Sequence, residues 1–129
     1  MSQKVFIIED DTIYSEFLKK NLRTKYKIYA YHTAEDAIVA LKSISPDVLI
    51  IDYKLPGMNG MELYQNVKDT ISSSAKVIVM SAIDDGNLVL DFIKKGIRDY
   101  VIKDENVIES LVSIIEEDDS IYHSSGLDS

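Results

Sequence analysis

Residues 48–51, Val48-Leu49-Ile50-Ile51, form a run of four large aliphatics, three of them β-branched, and Asp52 closes it. The run is too short for a helix and does not alternate, so it predicts a strand buried on both faces, as inside a parallel sheet. Asp52 then stands at the carboxyl end of that strand, where open α/β sheets hold their ligands. The segment after it, with Pro56, Gly57, Asn59 and Gly60, predicts a fixed turn that re-enters a helix. Together these place Asp52 as an exposed acid on a rigid support. Taken alone, an aspartate there more often simply ends a strand and caps a turn.

The pattern recurs along the chain. Val5-Phe6-Ile7-Ile8 ends in Glu9, Asp10 and Asp11, and Val77-Ile78-Val79-Met80 leads to Ser81. Asp99-Tyr100-Val101-Ile102 predicts a further strand with Lys103 as its last residue, and 27–31, rich in Ile and Tyr, suits a strand nearer the sheet edge. Between these runs apolar residues return at helical spacing. The stripes are Ile13, Phe17, Leu18 and Leu22; Ala34, Ala37, Ile38 and Leu41; Leu63, Tyr64, Val67 and Ile71; Leu88, Val89, Phe92 and Ile93; and Val107, Ile108, Leu111, Ile114 and Ile115, the last running out into Glu116-Glu117-Asp118-Asp119. Asp10 or Asp11 supplies an N-cap for the first helix, Thr33 with Asp36 resembles a capping box, and Gly96 stops the fourth. Five strands alternating with five helices, without repeat or internal linker, predict one three-layer α/β domain over residues 1–119 with a mainly parallel sheet. Residues 120–129 read as a polar tail or the start of a linker.

Composition narrows the chemistry. The 129 residues carry no cysteine and a net charge of -8, which leaves no thiolate for zinc and argues against direct binding of nucleic acid. No apolar run approaches a membrane span and the first residues lack a signal peptide's regions, so the expectation is a cytoplasmic protein. His32 and His123 are expected at the surface, outside the crevice.

In a parallel sheet all carboxyl ends face one way, so Glu9-Asp10-Asp11, Asp52, Ser81 and Lys103 converge. Asp10, Asp11 and Asp52 in one crevice repel one another, and one lysine cannot neutralise three carboxylates. A hard divalent cation can, and oxygen ligands alone suit Mg²⁺ or Mn²⁺. A cation, a lysine and a hydroxyl around a free carboxylate fit a phosphoryl group. The sequence has no Walker loop and no dinucleotide glycine fingerprint, so the phosphoryl does not arrive on a nucleotide held here, and Asp52 is the nucleophile that forms an aspartyl phosphate.

These pieces resemble, in order and spacing, the receiver domain of a two-component response regulator: Asp10-Asp11 after the first strand, Asp52-Tyr53-Lys54-Leu55-Pro56-Gly57-Met58-Asn59-Gly60, Ser81-Ala82, and Tyr100 three residues before Lys103. The resemblance covers 4–119 and implies a flavodoxin-like sheet of order 2-1-3-4-5. It implies Asp52 as phosphoacceptor, and Asp11, Asp52 and the Lys54 carbonyl as direct ligands of Mg²⁺, with Asp10 acting through water. Lys103 would pair with the phosphoryl, and Ser81 and Tyr100 would form a switch. The implied donor is a phosphohistidine on a sensor histidine kinase or histidine phosphotransfer protein. The implied output partner, a downstream protein or output domain, meets the face made by the fourth helix, fifth strand and fifth helix, where Leu88, Phe92, Tyr100 and Ile108 lie. Such a domain catalyses its own phosphorylation rather than turning over a separate substrate. In the family a proline in a cis bond often follows the lysine; here Asp104 follows, and a cis bond without proline costs about 2.5–4 kcal/mol. Two other readings compete. A Mg²⁺-dependent phosphohydrolase of the haloacid dehalogenase type would need an acid two residues after the nucleophile, where Lys54 stands. A pseudo-receiver that binds a partner without phosphorylation would not need the acids, Ser81 and Lys103 that are present.

Overall fold

A computed structural model describes residues 2–82 and 85–117. The expected tail at 120–129, His123, and the acids Asp118 and Asp119 lie outside the described residues. The chain alternates β1 (Lys4–Ile8), α1 (Thr12–Leu22), β2 (Lys27–Tyr31), α2 (Ala34–Ala40), β3 (Val48–Asp52), α3 (Gly60–Val67), β4 (Lys76–Ser81), α4 (Gly86–Lys94), β5 (Asp99–Ile102) and α5 (Val107–Ile115). The strands form one parallel sheet in the order β2-β1-β3-β4-β5. β3, the central strand, is buried at every residue, whereas β2 and β5 at the edges are only partly covered.

Alternation of side chains along each strand builds a core on each face. Val5, Ile7, Val48, Ile50, Ile78, Met80 and Val101 pack against Leu18 and Leu22 of α1 and Val107, Leu111 and Ile115 of α5. On the other face Phe6, Ile8, Leu49 and Ile51 meet Ala34 and Ala37 of α2 and Leu63 and Val67 of α3, and Val79 meets Met61 of α3 and Phe92 of α4. Each fully buried large apolar side chain contributes about 1.5–3 kcal/mol, which is what holds helices over both faces.

Three local expectations change. The buried stripe of α1 is Ser15, Leu18 and Leu22, while Ile13 and Phe17 are 83% and 43% exposed, because at 3.6 residues per turn they lie on the opposite side of the helix. Thr33 caps α2 by accepting from the Asp36 N–H, but the reciprocal capping box forms at α3, between Asn59 and Glu62. α5 ends at Ile115, short of the acids that follow it. Gly96, at φ 98°, follows the last turn of α4 as predicted. Every described peptide bond is trans, that between Lys103 and Asp104 included. Among the described residues no helix is long and apolar enough to cross a membrane.

Candidate functional site

Register and side-chain alternation assemble the site. Ile8 of β1 pairs with Ile51 of β3, so the next residues, Glu9 and Asp52, leave the sheet side by side. Glu9 continues the alternation of Val5 and Ile7, Asp52 that of Val48 and Ile50, and Lys103 that of Val101. All three therefore emerge on the face covered by α1 and α5. Lys103 lies one residue past β5 rather than within it, and its N–H donates to the Ser81 carbonyl at 2.9 Å, which ties the ends of β4 and β5 together.

The Lys103 ammonium bridges two carboxylates. It sits 3.2 Å from Asp52 Oδ2 and makes a short charge-assisted hydrogen bond to Glu9 Oε1. The ring of Tyr14 lies on another side, its centroid 4.6 Å from Nζ. Asp52, expected to be exposed, is 5% exposed, because neighbouring strands flank it and Lys103 lies against its carboxylate. Glu9 is fully buried. Burial pushes the Glu9 carboxyl above its usual range, with the Lys103 hydrogen bond pulling against that and nearby Asp52 adding to it. For Lys103 burial acts downward, but the hydrogen bonds and attraction of Glu9 and Asp52 together exceed it and raise the ammonium. Burial sets the direction for Glu9, whereas the two carboxylates set it for Lys103.

Asp10, which is exposed, completes the negative cluster: carboxylate oxygens of Glu9, Asp10 and Asp52 all lie within 4.8 Å of one another. With one ammonium for three acids, this oxygen-only set fits a hard divalent cation such as Mg²⁺. Asp11 does not join it. Its Oδ1 accepts from the N–H groups of Ile13 and Tyr14, at 3.0 and 3.1 Å, so it is the N-cap of α1. The expected division, with Asp11 on the metal and Asp10 behind it, is thus corrected: the capped helix start turns Asp11 away, and Glu9 and Asp10 face Asp52.

The remaining expected residues fall as follows. Lys54 is exposed in the loop after β3. Ser81 is buried at the tip of β4, and Tyr100 is half-buried on β5 with its ring 5.4 Å from that of Phe92. Val79 pairs with Tyr100 and Ser81 with Ile102, so Ser81 and Tyr100 emerge on the α3–α4 face, opposite Lys103. Phe92, expected near the partner surface, is 1% exposed and stacks between Tyr53 and Tyr100; the exposed apolar residues of α4 are Leu90 and Ile93. His32 is exposed, with Nδ1 3.1 Å from the Glu9 carbonyl oxygen at the rim of the site. Gly60 is the first residue of α3 rather than a turn glycine, and a Cβ there would come within 2.6 Å of the Asp52 carbonyl oxygen. Its lack of a side chain lets α3 start hard against the end of β3.

Sequence reasoning brought Glu9 to the crevice but gave it no role there, and it missed Tyr14 altogether. The signal for Glu9 was present: Val5-Phe6-Ile7-Ile8 and Val48-Leu49-Ile50-Ile51 are matched aliphatic runs, each followed at once by an acid. Tyr14 gave none, because its contact with Lys103 exists only once α1 and α5 pack side by side on one face of the sheet.

Known proteins share this fold. A family model described as the response regulator receiver domain matches residues 5–116. The chemotaxis protein CheY of Thermotoga maritima is 30% identical over 117 residues, covering 86% of this chain and 96% of that protein. The transcriptional regulatory protein CrdR of Helicobacter pylori is 28% identical over 124 residues, covering 94% of this chain; the chain spans only 58% of that relative's length. A solved response regulator from Burkholderia pseudomallei, described with a phosphorylated aspartic acid, calcium ion and citrate, shares the fold with a TM-score of 0.81 at 18% identity, covering 97% of this chain and 73% of that one. With the family match running from β1 to the end of α5, the chain belongs to the response regulator receiver domain family.

Proposed function

We propose that this domain accepts a phosphoryl group on Asp52 from a phosphohistidine donor, a sensor histidine kinase or histidine phosphotransfer protein, with Mg²⁺ bound by Asp10, Asp52 and the Lys54 carbonyl and Glu9 beside them. Mn²⁺ would serve in the same oxygen set. The observation that carries the reading is the charge imbalance: three carboxylates within 4.8 Å of one another and one lysine on two of them. Such a crevice is short of positive charge until a cation binds, and a bound Mg²⁺ supplies neutralisation for the incoming phosphoryl.

Residues of the chain do the rest. An Asp52 carboxylate oxygen forms the new phosphorus–oxygen bond as the phosphorus–nitrogen bond of the donor breaks, and the leaving imidazole nitrogen keeps the bonding pair and takes a proton from solvent. Lys103, already 3.2 Å from Asp52, turns to a phosphoryl oxygen and offsets its charge. The Ser81 hydroxyl donates to another phosphoryl oxygen from the opposite face. Drawing Ser81 and its loop inward biases Tyr100, on the same face, between two positions and so changes the surface of α4, β5 and α5. Exposed Leu90 and Ile93 on α4 give that surface apolar purchase for a downstream partner. The CheY and CrdR proteins are named for chemotaxis and transcriptional regulation, and output of either kind is open to a domain of this type.

The test supplies Mg²⁺ and acetyl phosphate and weighs the intact protein. One hydroxylamine-labile phosphoryl is expected on the wild type and none on Asp52→Asn; equal labelling of the two ends the proposal. Beryllofluoride, a phosphoryl mimic, should shift amide resonances on α4 and β5 in the wild type but not in Ser81→Ala, and distant shifts that survive in Ser81→Ala remove the relay.

A further inference from the structure

We infer that Tyr14 is a positioning residue for Lys103: its ring face holds the ammonium in the crevice while the carboxylates change partners. This rests on the receiver reading above. Among the described residues the Lys103 ammonium meets Glu9, Asp52 and the Tyr14 ring, the last at 4.6 Å. The two carboxylates that hold it are also members of the cluster that would bind the cation. When they turn to a metal, the ammonium loses its anchors at the moment it is needed for the phosphoryl. The ring is the one neighbour with no competing duty, since a π face binds a cation but cannot ligate Mg²⁺.

Tyr14 is held for that task. Its N–H donates to the Asp11 cap at 3.1 Å, and the Asp11 N–H donates to Glu9 Oε2 at 3.1 Å, so the start of α1 is tied to the same glutamate that Lys103 contacts. The ring stacks on Phe17 with centroids 5.6 Å apart and packs against the core under α5. Its hydroxyl is buried and has no hydrogen-bond partner among the described residues. The polar end of the tyrosine thus contributes no bond, and what remains for the site is the ring. Asp11, displaced from the metal, acquires a role in the same circuit by setting where Tyr14 stands.

The experiment compares wild type, Tyr14→Phe and Tyr14→Leu in single-turnover labelling by acetyl phosphate at saturating Mg²⁺, and in proton NMR of the Lys103 ε-methylene. Tyr14→Leu should label about tenfold more slowly with Mg²⁺ half-saturation unchanged within about twofold, and Tyr14→Phe should match wild type, because it keeps the ring and discards the unbonded hydroxyl. The Lys103 resonance should be ring-shifted upfield in wild type and Tyr14→Phe, with Mg²⁺ present, and unshifted in Tyr14→Leu. Equal labelling rates for wild type and Tyr14→Leu, a Tyr14→Phe as slow as Tyr14→Leu, or loss of the wild-type ring shift on adding Mg²⁺ each overturns the inference. A wild type that takes up no phosphoryl overturns the receiver reading instead, a result the ring shift tells apart.

Discussion

Two lysines at opposite ends of the sheet meet opposite kinds of neighbour. Lys76, the first residue of β4, donates to the backbone carbonyls of Ile114, Ile115 and Glu117 at 2.7, 3.3 and 2.7 Å. Those carbonyls lie at and just past the last turn of α5, where a cation complements the helix dipole. Lys103, just past β5, holds two carboxylates with a third nearby. The first arrangement is complete in its hydrogen bonds, three carbonyls for the three donors of an ammonium, and brings no anions together. The second is in deficit, and a deficit of charge in a fixed crevice is what binds something. A hollow of about 530 Å³ opens at the Lys76 end, lined by Tyr64, Lys68 and Arg98 among others, yet it gathers no comparable imbalance. Unresolved charge, rather than empty space, distinguishes the end that carries the candidate site.

The sharpest break between the two ends is in the acids. Asp52→Asn should lower acetyl phosphate labelling by more than about 100-fold, since it removes the proposed nucleophile. Asp47→Asn, at the other end, alters a carboxylate that accepts the Lys4 N–H at 2.7 Å and should leave labelling within about twofold. Intact-mass spectrometry reads both, and a comparable loss in Asp47→Asn would dissolve the distinction.

The lysines come next. Lys103→Ala should slow labelling about 100-fold, the usual effect of deleting one donor to a developing charge. Lys76→Ala should label normally but lose about 1.5–3 kcal/mol of stability in urea unfolding, because charge-assisted bonds to the end of α5 are gone. If Lys76→Ala instead slows labelling while folding as well as wild type, the two ends are coupled.

Smaller again is the contrast between Asp10 and Asp11. Asp10→Ala should weaken Mg²⁺ binding about tenfold or more, by analogy with losses at metal sites. Asp11→Ala should cost about 1 kcal/mol of stability through the lost cap and move Mg²⁺ affinity little. Fluorescence titration with Mg²⁺ and thermal melts on both variants separate the roles, and equal Mg²⁺ losses would return Asp11 to the metal.

That contrast marks how far the sequence could be read. The sheet was legible because β1, β3 and β4 are short aliphatic runs with polar punctuation, and the candidate site because Asp52, Ser81 and Lys103 each stand at or just past a strand's carboxyl end. The acidic shell was off by one place: Asp10-Asp11 look like a pair, and only the register Ile8 to Ile51 shows that Glu9 is the residue abreast of Asp52. The burial of Asp52 was not legible, because what lies against it is a lysine from the far end of the chain. Ile13 and Phe17 misled because apolar residues at helical spacing do not say which of two offset stripes the core takes.

The smallest expected effect tests the deficit itself, in metal-free protein. Burial raises the Glu9 carboxyl above its ordinary 4.5, so the fold favours its protonated form. The stability that this preference contributes is fully present below about pH 4.5 and is lost as pH rises through the raised folded value. Glu9→Gln keeps a neutral side chain of the same shape at every pH, and it leaves Lys103 with Asp52 as its charged partner. Melting curves in EDTA should therefore coincide for the two proteins near pH 4 and separate at pH 7, with Glu9→Gln melting higher by a few degrees. The ion pair to Lys103 opposes this but does not outweigh burial, since the net direction for Glu9 is upward. A Glu9→Gln protein that melts lower than wild type at pH 7 would mean that Lys103 satisfies both carboxylates, that the carboxyl end is as complete as the Lys76 end, and that the cation is not needed to balance it.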